Sequence, residues 1–180
     1  MGIDTLRIET PRLMLRPTRW EDFDAWAAFL ADEESTRFLG GVQSRPRSRM
    51  CMAGAWFLGR PAMFSVIEKS SGLWVGNAGP WQPDGWPGTE VGYAFHPDAW
   101  GKGYATEACA ATMDFAFDVL GWTDVIHSIS PANTASQAVA QRLGSRNRGP
   151  GQLPPPLDAH EIDIWGQTRD EWWARRSTPA

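Results

Sequence analysis

The stretch Pro97-Asp98-Ala99-Trp100-Gly101-Lys102-Gly103-Tyr104-Ala105-Thr106-Glu107-Ala108 puts two glycines and a small alanine where a strand ending at Pro97 gives way to a helix. Such a turn suits an anion. Glycine permits positive φ and a close backbone approach, and the unpaired amides of a first helical turn point outward with the positive end of the helix dipole. Lys102 is the one phosphate charge partner within the turn. Further on, Pro131-Ala132-Asn133-Thr134-Ala135-Ser136 sets an amide side chain and a hydroxyl at the start of another helix.

Three ligand classes compete for the first turn. A P-loop needs G-x-x-x-x-G-K followed by Ser or Thr, but Gly103 follows Lys102 and His96 stands where the first glycine belongs, so that reading fails. A dinucleotide fingerprint needs a third glycine, here Thr106, and an acid at the end of the next strand, whereas Asp124 comes at its beginning. The ordinary alternative is a glycine turn that only packs helix against strand. This segment alone leaves it open.

The elements that must hold these residues follow from periodicity. Thr5 to Arg16 alternates as an edge strand with Leu13 and Leu15 on one face. Thr18 with Glu21 has the form of a capping box, opening a helix whose Phe23, Trp26, Ala27 and Leu30 should face a sheet. Ser44 to Leu58 predicts a second helix with Pro46 in its first turn. Ala62 to Glu68 and Leu73 to Ala78 flank Ser70-Ser71-Gly72 as a hairpin, Gln82 to Gly88 is a loop, and Thr89 to His96 is the third strand of an antiparallel meander. Lys102 to Leu120 is a long amphipathic helix ended by Gly121, Asp124 to Ser130 a strand, and Ala135, Val139 and Leu143 mark a helix closed by Gly144. Gly149 to Pro156 reads as a stiff loop and His160 to Gly166 as a closing strand. The expected fold is therefore α+β: a mixed sheet of about six to seven strands, an antiparallel front half joined to a parallel βαβ unit and flanked by helices, with a ligand at the join.

The 180 residues fit a single domain over 1–180. With 42% hydrophobic residues the chain is not disordered, and a net charge of −4 disfavours nucleic acid as the main ligand. Cys51 and Cys109 belong to no C-x-x-C and read as small core residues in a reducing compartment. His96, His127 and His160 have no partner at metal-ligand spacing, so no metal is expected. Residues 1–13 lack the apolar run of a secretory signal and no run of apolar residues is long enough for a membrane span, which predicts a cytoplasmic protein without a membrane partner.

The second turn decides among the readings. With T-P-R-L-M-L-R-P near the start, V-G-Y-A-F-H-P-D-A-W-G-K-G-Y-A-T-E-A in the middle, P-A-N-T-A-S after it and I-W-G-Q-T-R-D-E-W near the end, the sequence resembles the GNAT superfamily of N-acetyltransferases over almost its whole length, and within it the ribosomal-protein-alanine branch, RimJ and RimL. The family pattern Q/R-x-x-G-x-G/A falls on Trp100 to Ala105, with Trp100 in place of Gln or Arg. The resemblance implies acetyl-CoA as cosubstrate, its phosphates held by the amides of Gly101, Lys102, Gly103, Tyr104, Ala105 and Thr106, and main-chain groups at Phe95 exposed by a splay at a strand bulge. It also implies that Asn133 bonds the pantetheine arm and that Ser136 sits near the sulfur.

Acetyl transfer to an amine then needs a base and a tolerable leaving group. Glu90, in a segment resembling the family's E-I-G-Y, is the candidate base, with an ion-paired strand residue as the ordinary alternative; His127, Glu161 and Asp163 are lesser candidates. The family's tyrosine near the last helix has no counterpart by position, since the tyrosines are Tyr93 and Tyr104, so Ser136 is the candidate acid, with helix capping as its alternative. Ser145 stands where the family often has Phe, which leaves the next strand's geometry open. The acceptor, a peptide N-terminus or a small-molecule amine, should sit between the first two helices, the loop before the central strand and the G-P-G-Q-L-P-P-P loop; Trp56, Trp81 and Trp86 are candidates for its lining, packing being the alternative. The rival functions are an acyl-CoA-binding module without turnover and a dinucleotide binder. A homodimer is left open.

Overall fold

The computed structural model describes residues 6–57 and 63–177, the side chains of 55–57 excepted. Eight strands form one sheet in the order β1-β2-β3-β4-β5-β6-β8-β7. They are β1 (Ile8–Glu9), β2 (Leu13–Pro17), β3 (Phe64–Glu68), β4 (Trp74–Trp81), β5 (Glu90–Phe95), β6 (Asp124–Ile129), β7 (Arg146–Gly151) and β8 (Ile162–Thr168). Every neighbouring pair is antiparallel except β5 and β6, which run parallel and register only at Glu90 opposite Ile126. The expected mixed sheet with an opened parallel join is present. The family's bulge is not in β5, whose register with β4 is unbroken from Glu90 to Phe95; the irregularity lies in the β3–β4 pair, at Val66/Ile67.

Helices α1 (Phe23–Ala31), α2 (Glu33–Thr36), α3 (Arg45–Phe57), α4 (Tyr104–Asp118), α5 (Thr134–Leu143) and α6 (Arg169–Ser177) complete the described chain. Because side chains alternate along a strand, Val75 packs toward α4 while Trp74 meets Phe29 of α1 on the other face. The α4 stripe splits between two cores. Tyr104 and Ala108 join Leu13, Leu15, Val66 and Phe95, while Cys109, Met113 and Phe117 join Val91, Val125, Leu143 and Trp172. This packing fixes the helix start against the end of β5.

Several expectations are corrected. The first segment is two short strands around a turn in which Thr10 N donates to Leu13 O at 3.0 Å, and Thr5 lies outside the described residues. The cap before α1 is shifted: Asp22, not Glu21, receives the Arg19 amide, at 2.8 Å, because Asp22 is drawn inward by Arg16 and Ser65. The α1 stripe is shared: Phe23 and Ala27 pack on Met52 of α3, while Trp26 meets the sheet edge-on at Trp74. Leu58 and Ala62 lie outside the described residues. Gly149–Gly151 belong to β7, where an edge position tolerates a proline and a register shift, so the loop begins at Gln152. The last element is a helix, α6, opened by Thr168 and Glu171, each bonding the other's amide. Cys51 is exposed on α3 and only Cys109 is buried.

Candidate active site

Beyond the Glu90–Ile126 pair, β5 and β6 diverge and leave main-chain groups without a sheet partner. His96 N donates to Val75 O, so alternation turns the amides and carbonyls of Val91, Tyr93 and Phe95 toward β6. Two of these are already engaged by side chains: Val91 O by His127 Nδ1 at 2.7 Å and Phe95 O by Trp100 Nε1 at 2.7 Å. The Phe95 amide and both main-chain groups of Tyr93 remain for a ligand.

A cleft of about 760 Å³ opens at this divergence. The start of α4 lines one side with Gly101, Gly103, Tyr104, Ala105 and Thr106, and the start of α5 lines the other with Asn133, Thr134 and Ser136. Gly101 and Gly103 have φ of +72° and +78°, a region costly to any residue with a side chain, and nothing lies within 4 Å of where a Gly101 Cβ would be. The first α4 turn bond runs from Glu107 N to Gly103 O, so the preceding amides have no helical acceptor and face the cleft. Such a cradle fits phosphate oxygens.

Arg12 braces the cradle from behind. Its Nη1 donates to Lys102 O at 2.8 Å, its Nε to Glu107 Oε2 at 2.6 Å, and its guanidinium lies 4.8 Å from the Tyr104 ring centre. Burial pushes the Glu107 carboxyl up, but hydrogen bonds from Thr10 and Arg12 outweigh it and hold the group ionised below the usual carboxylate range. The Tyr104 hydroxyl donates to Glu68 on the same side. Lys102 does not line the cleft; its ammonium stands 5.9 Å from the Tyr104 ring. The cations on the cleft wall are Arg37 and Arg142, which periodicity alone gave no reason to name.

Asn133 caps α5, its Oδ1 accepting from Ser136 N at 3.1 Å, which leaves the carboxamide NH₂ for a ligand. Ser136 lines the cleft, and its carbonyl accepts from Tyr93 Oη at 3.0 Å. A phenol therefore does reach the start of α5, contributed by β5 rather than by a helix. Burial drives the Tyr93 pKa upward, so it stays protonated at neutral pH. The signal was available: Val91, Tyr93 and Phe95 alternate onto the α4 side of the opened strand.

Glu90 lies next to the cleft, in a smaller cavity of about 80 Å³ that shares Phe38, Leu39, Tyr93, Asn133 and Ser136 with it. Its Oε2 accepts from Trp86 Nε1 at 2.7 Å and from Ser128 Oγ at 2.6 Å, with Oε1 on the side of Gly92. Burial raises its pKa, opposed by those donors.

His127 is a structural residue. Gln167 Nε2 donates to Ser145 Oγ at 3.0 Å, Ser145 in turn faces His127 Nε2 at 3.2 Å, and Nδ1 meets Val91 O, a chain that places the imidazole proton on Nδ1. Burial lowers its pKa to about 4. Ser145 thus fills its position as a polar link beneath the opened strand. Glu161 and Asp163 line neither cavity, and Asp163 receives Asn147 Nδ2 at 2.8 Å near the sheet edge. Trp81 stands edge-on to Trp86, with ring centres 6.1 Å apart, and neither lines the cleft; the Trp56 side chain lies outside the described residues. Pro154 of the proline loop packs at Gly85, bracing the Trp86 loop instead of walling the cleft, and Glu34, Ser35, Phe38 and Leu39 form the wall in its place.

Comparison with known proteins places this geometry. Residues 12–146 match the family model described as an acetyltransferase (GNAT) domain. An uncharacterized N-acetyltransferase of Bacillus licheniformis is 30% identical over 146 residues, covering 78% of this chain and 82% of that protein. A solved acetyltransferase from Agrobacterium tumefaciens superposes with a TM-score of 0.78 at 26% identity, covering 94% of this chain and 98% of that one. A solved aminoglycoside acetyltransferase in complex with coenzyme A shares the fold, with a TM-score of 0.76 at 19% identity over 92% of this chain and 99% of its own.

Proposed function

This chain belongs to the GNAT acetyltransferase family, and on that premise we propose that it moves an acetyl group from acetyl-CoA directly to a primary amine, carried by a small molecule or a peptide N-terminus. One observation carries the reading: the starts of α4 and α5 face each other across the cleft that opens where β5 leaves β6. The related fold that holds coenzyme A supports the same occupant here. Acetyl-CoA supplies the thioester.

The residues divide the work. Amides from Gly101 to Thr106 hold the phosphates, with Arg142 and Arg37 supplying charge, while the Asn133 carboxamide and the Tyr93 main chain pair with the pantetheine arm. The Phe95 amide polarises the acetyl carbonyl; losing one such donor costs about 2.7–4 kcal/mol in an acyl-transfer site. Glu90 takes the proton of the incoming ammonium, a C–N bond replaces the C–S bond, the departing sulfur takes a proton from the Tyr93 phenol or the Ser136 hydroxyl, and the second proton lost by the nitrogen as it becomes an amide restores that hydroxyl. No metal enters this scheme.

The phenol beside Ser136 supports turnover over the reading of a binding module without it. A dinucleotide binder requires a largely parallel sheet, and here a single strand pair is parallel. Cytoplasmic residence belongs to the same proposal and rests on two free cysteines. Among the described residues no helix is long and apolar enough to cross a membrane. Thiol release from acetyl-CoA in the presence of primary amines tests the reading; a folded, CoA-binding preparation that releases no thiol overturns it.

A further inference from the structure

Resting on that reading, we propose that the acceptor is a primary amine joined to an apolar body, and not a polyamine or an aminoglycoside. The chamber beside the cleft sets the first half of the claim. Its volume is about 80 Å³. Glu90 is the carboxylate among its lining residues, and the neighbouring groups that titrate, His127 and Tyr93, are both neutral at physiological pH. One ammonium is matched there and a second is not.

The mouth sets the other half. Phe38 and Leu39 line both the chamber and the cleft yet remain 40% and 46% exposed, and Val42 follows them at 50%. Consecutive large apolar side chains left open at a cavity entrance are a surface for an apolar ligand. Gly40 and Gly41, at φ of +90° and +84°, let that strip turn back on itself. The ionised groups on the cleft wall are Glu34, Arg37 and Arg142, with Arg37 lying 5.3 Å from the Phe38 ring centre. A polycation would need several acids here, and Glu34 is the one acid among the residues of the cleft wall.

The test is kcat/KM by thiol release with 2-phenylethylamine, n-hexylamine and spermidine as acceptors. The apolar amines should exceed spermidine by about tenfold or more, the scale of discrimination set by a few buried methylenes. Leu39→Asp should lower the apolar-amine values about tenfold while leaving spermidine unchanged or improved. Leu39 is exposed, so the thermal midpoint should hold, and Phe38→Gln should shift the same ratios if that variant is unstable. Equal or better use of spermidine, or ratios unmoved by both variants, overturns the proposal while leaving acetyl transfer intact. Failure to release thiol with any of these amines, by protein that still binds CoA, overturns the transfer reading and this proposal together.

Discussion

The indole Nε1 of Trp86 donates to Glu90 Oε2 at 2.7 Å, tying the loop between β4 and β5 to the carboxylate beside the cleft. That bond stabilises the ionised form against the burial that raises the Glu90 pKa. Glu90→Gln is expected to lower kcat by about 10²- to 10⁴-fold, the usual loss with a general base. Trp86→Phe should leave the base in place but make it harder to ionise, moving the acid limb of the kcat/KM profile to higher pH. An unchanged limb in Trp86→Phe would show that another group governs ionisation.

His127 predicts a pH-dependent stability. Its pKa is lowered to about 4 from an ordinary 6.5, so the unfolded chain binds the extra proton first. Stability is then lost as pH falls from 6.5 toward 4, by ~3 kcal/mol at most. Urea denaturation across that window checks it, and His127→Gln should flatten the slope. Asp22 changes the slope only at lower pH: burial pushes its carboxyl up, but bonds from Arg16, the Arg19 amide and Ser65 hold it below the ordinary value, so its stabilisation is present throughout that window and is lost in acid below 3.8.

Arg12 acts on the cradle through Lys102 O and Glu107 and lies behind the backbone that lines the cleft. Arg12→Ala should raise the KM for acetyl-CoA several-fold with a smaller change in kcat at saturation. Equal losses in kcat and kcat/KM would place its effect in the transition state instead.

Gly103→Glu should weaken CoA binding measured by calorimetry, because a Cβ there sits on a backbone at φ +78° and 3.4 Å from Arg12 Nη2, so the new side chain disturbs the guanidinium that braces the cradle. The left-handed conformation adds about 1–2 kcal/mol of strain, which leaves most of the stability of a domain this size in place.

A thiol reagent should titrate one cysteine of the native chain and two after denaturation. Cys51 is exposed, whereas Cys109 is buried with its pKa pushed well up by desolvation.

Elements with strong period were legible in the sequence: the α4 stripe through Cys109, Met113 and Ala116 and the meander before it stand where alternation and helical spacing put them. The glycine turn was legible for the same reason, since only glycine takes the positive φ it needs. What escaped depended on three-dimensional company. Tyr93 reaches Ser136 across 43 positions of chain, and Trp86 finds Glu90 from within a loop that has no period. Arg37 and Arg142 come from opposite ends of the fold to one wall. The strand at 146–151 was obscured by Gly149 and Pro150, because turn-forming composition and an outermost strand look alike when no partner is visible.

That outermost strand has its own bearing on how copies of the protein meet. Pro150 carries no amide proton, the β7 register slips between Asn147 and Pro150, and Arg146 leaves positive charge along the rim while Arg148 is paired with Asp124. A second copy trying to extend the sheet by hydrogen bonding there would find a broken ladder and a like-charged neighbour, a combination that discourages edge-to-edge aggregation. Any self-association therefore has to be sought on a face of the molecule other than this end of its sheet.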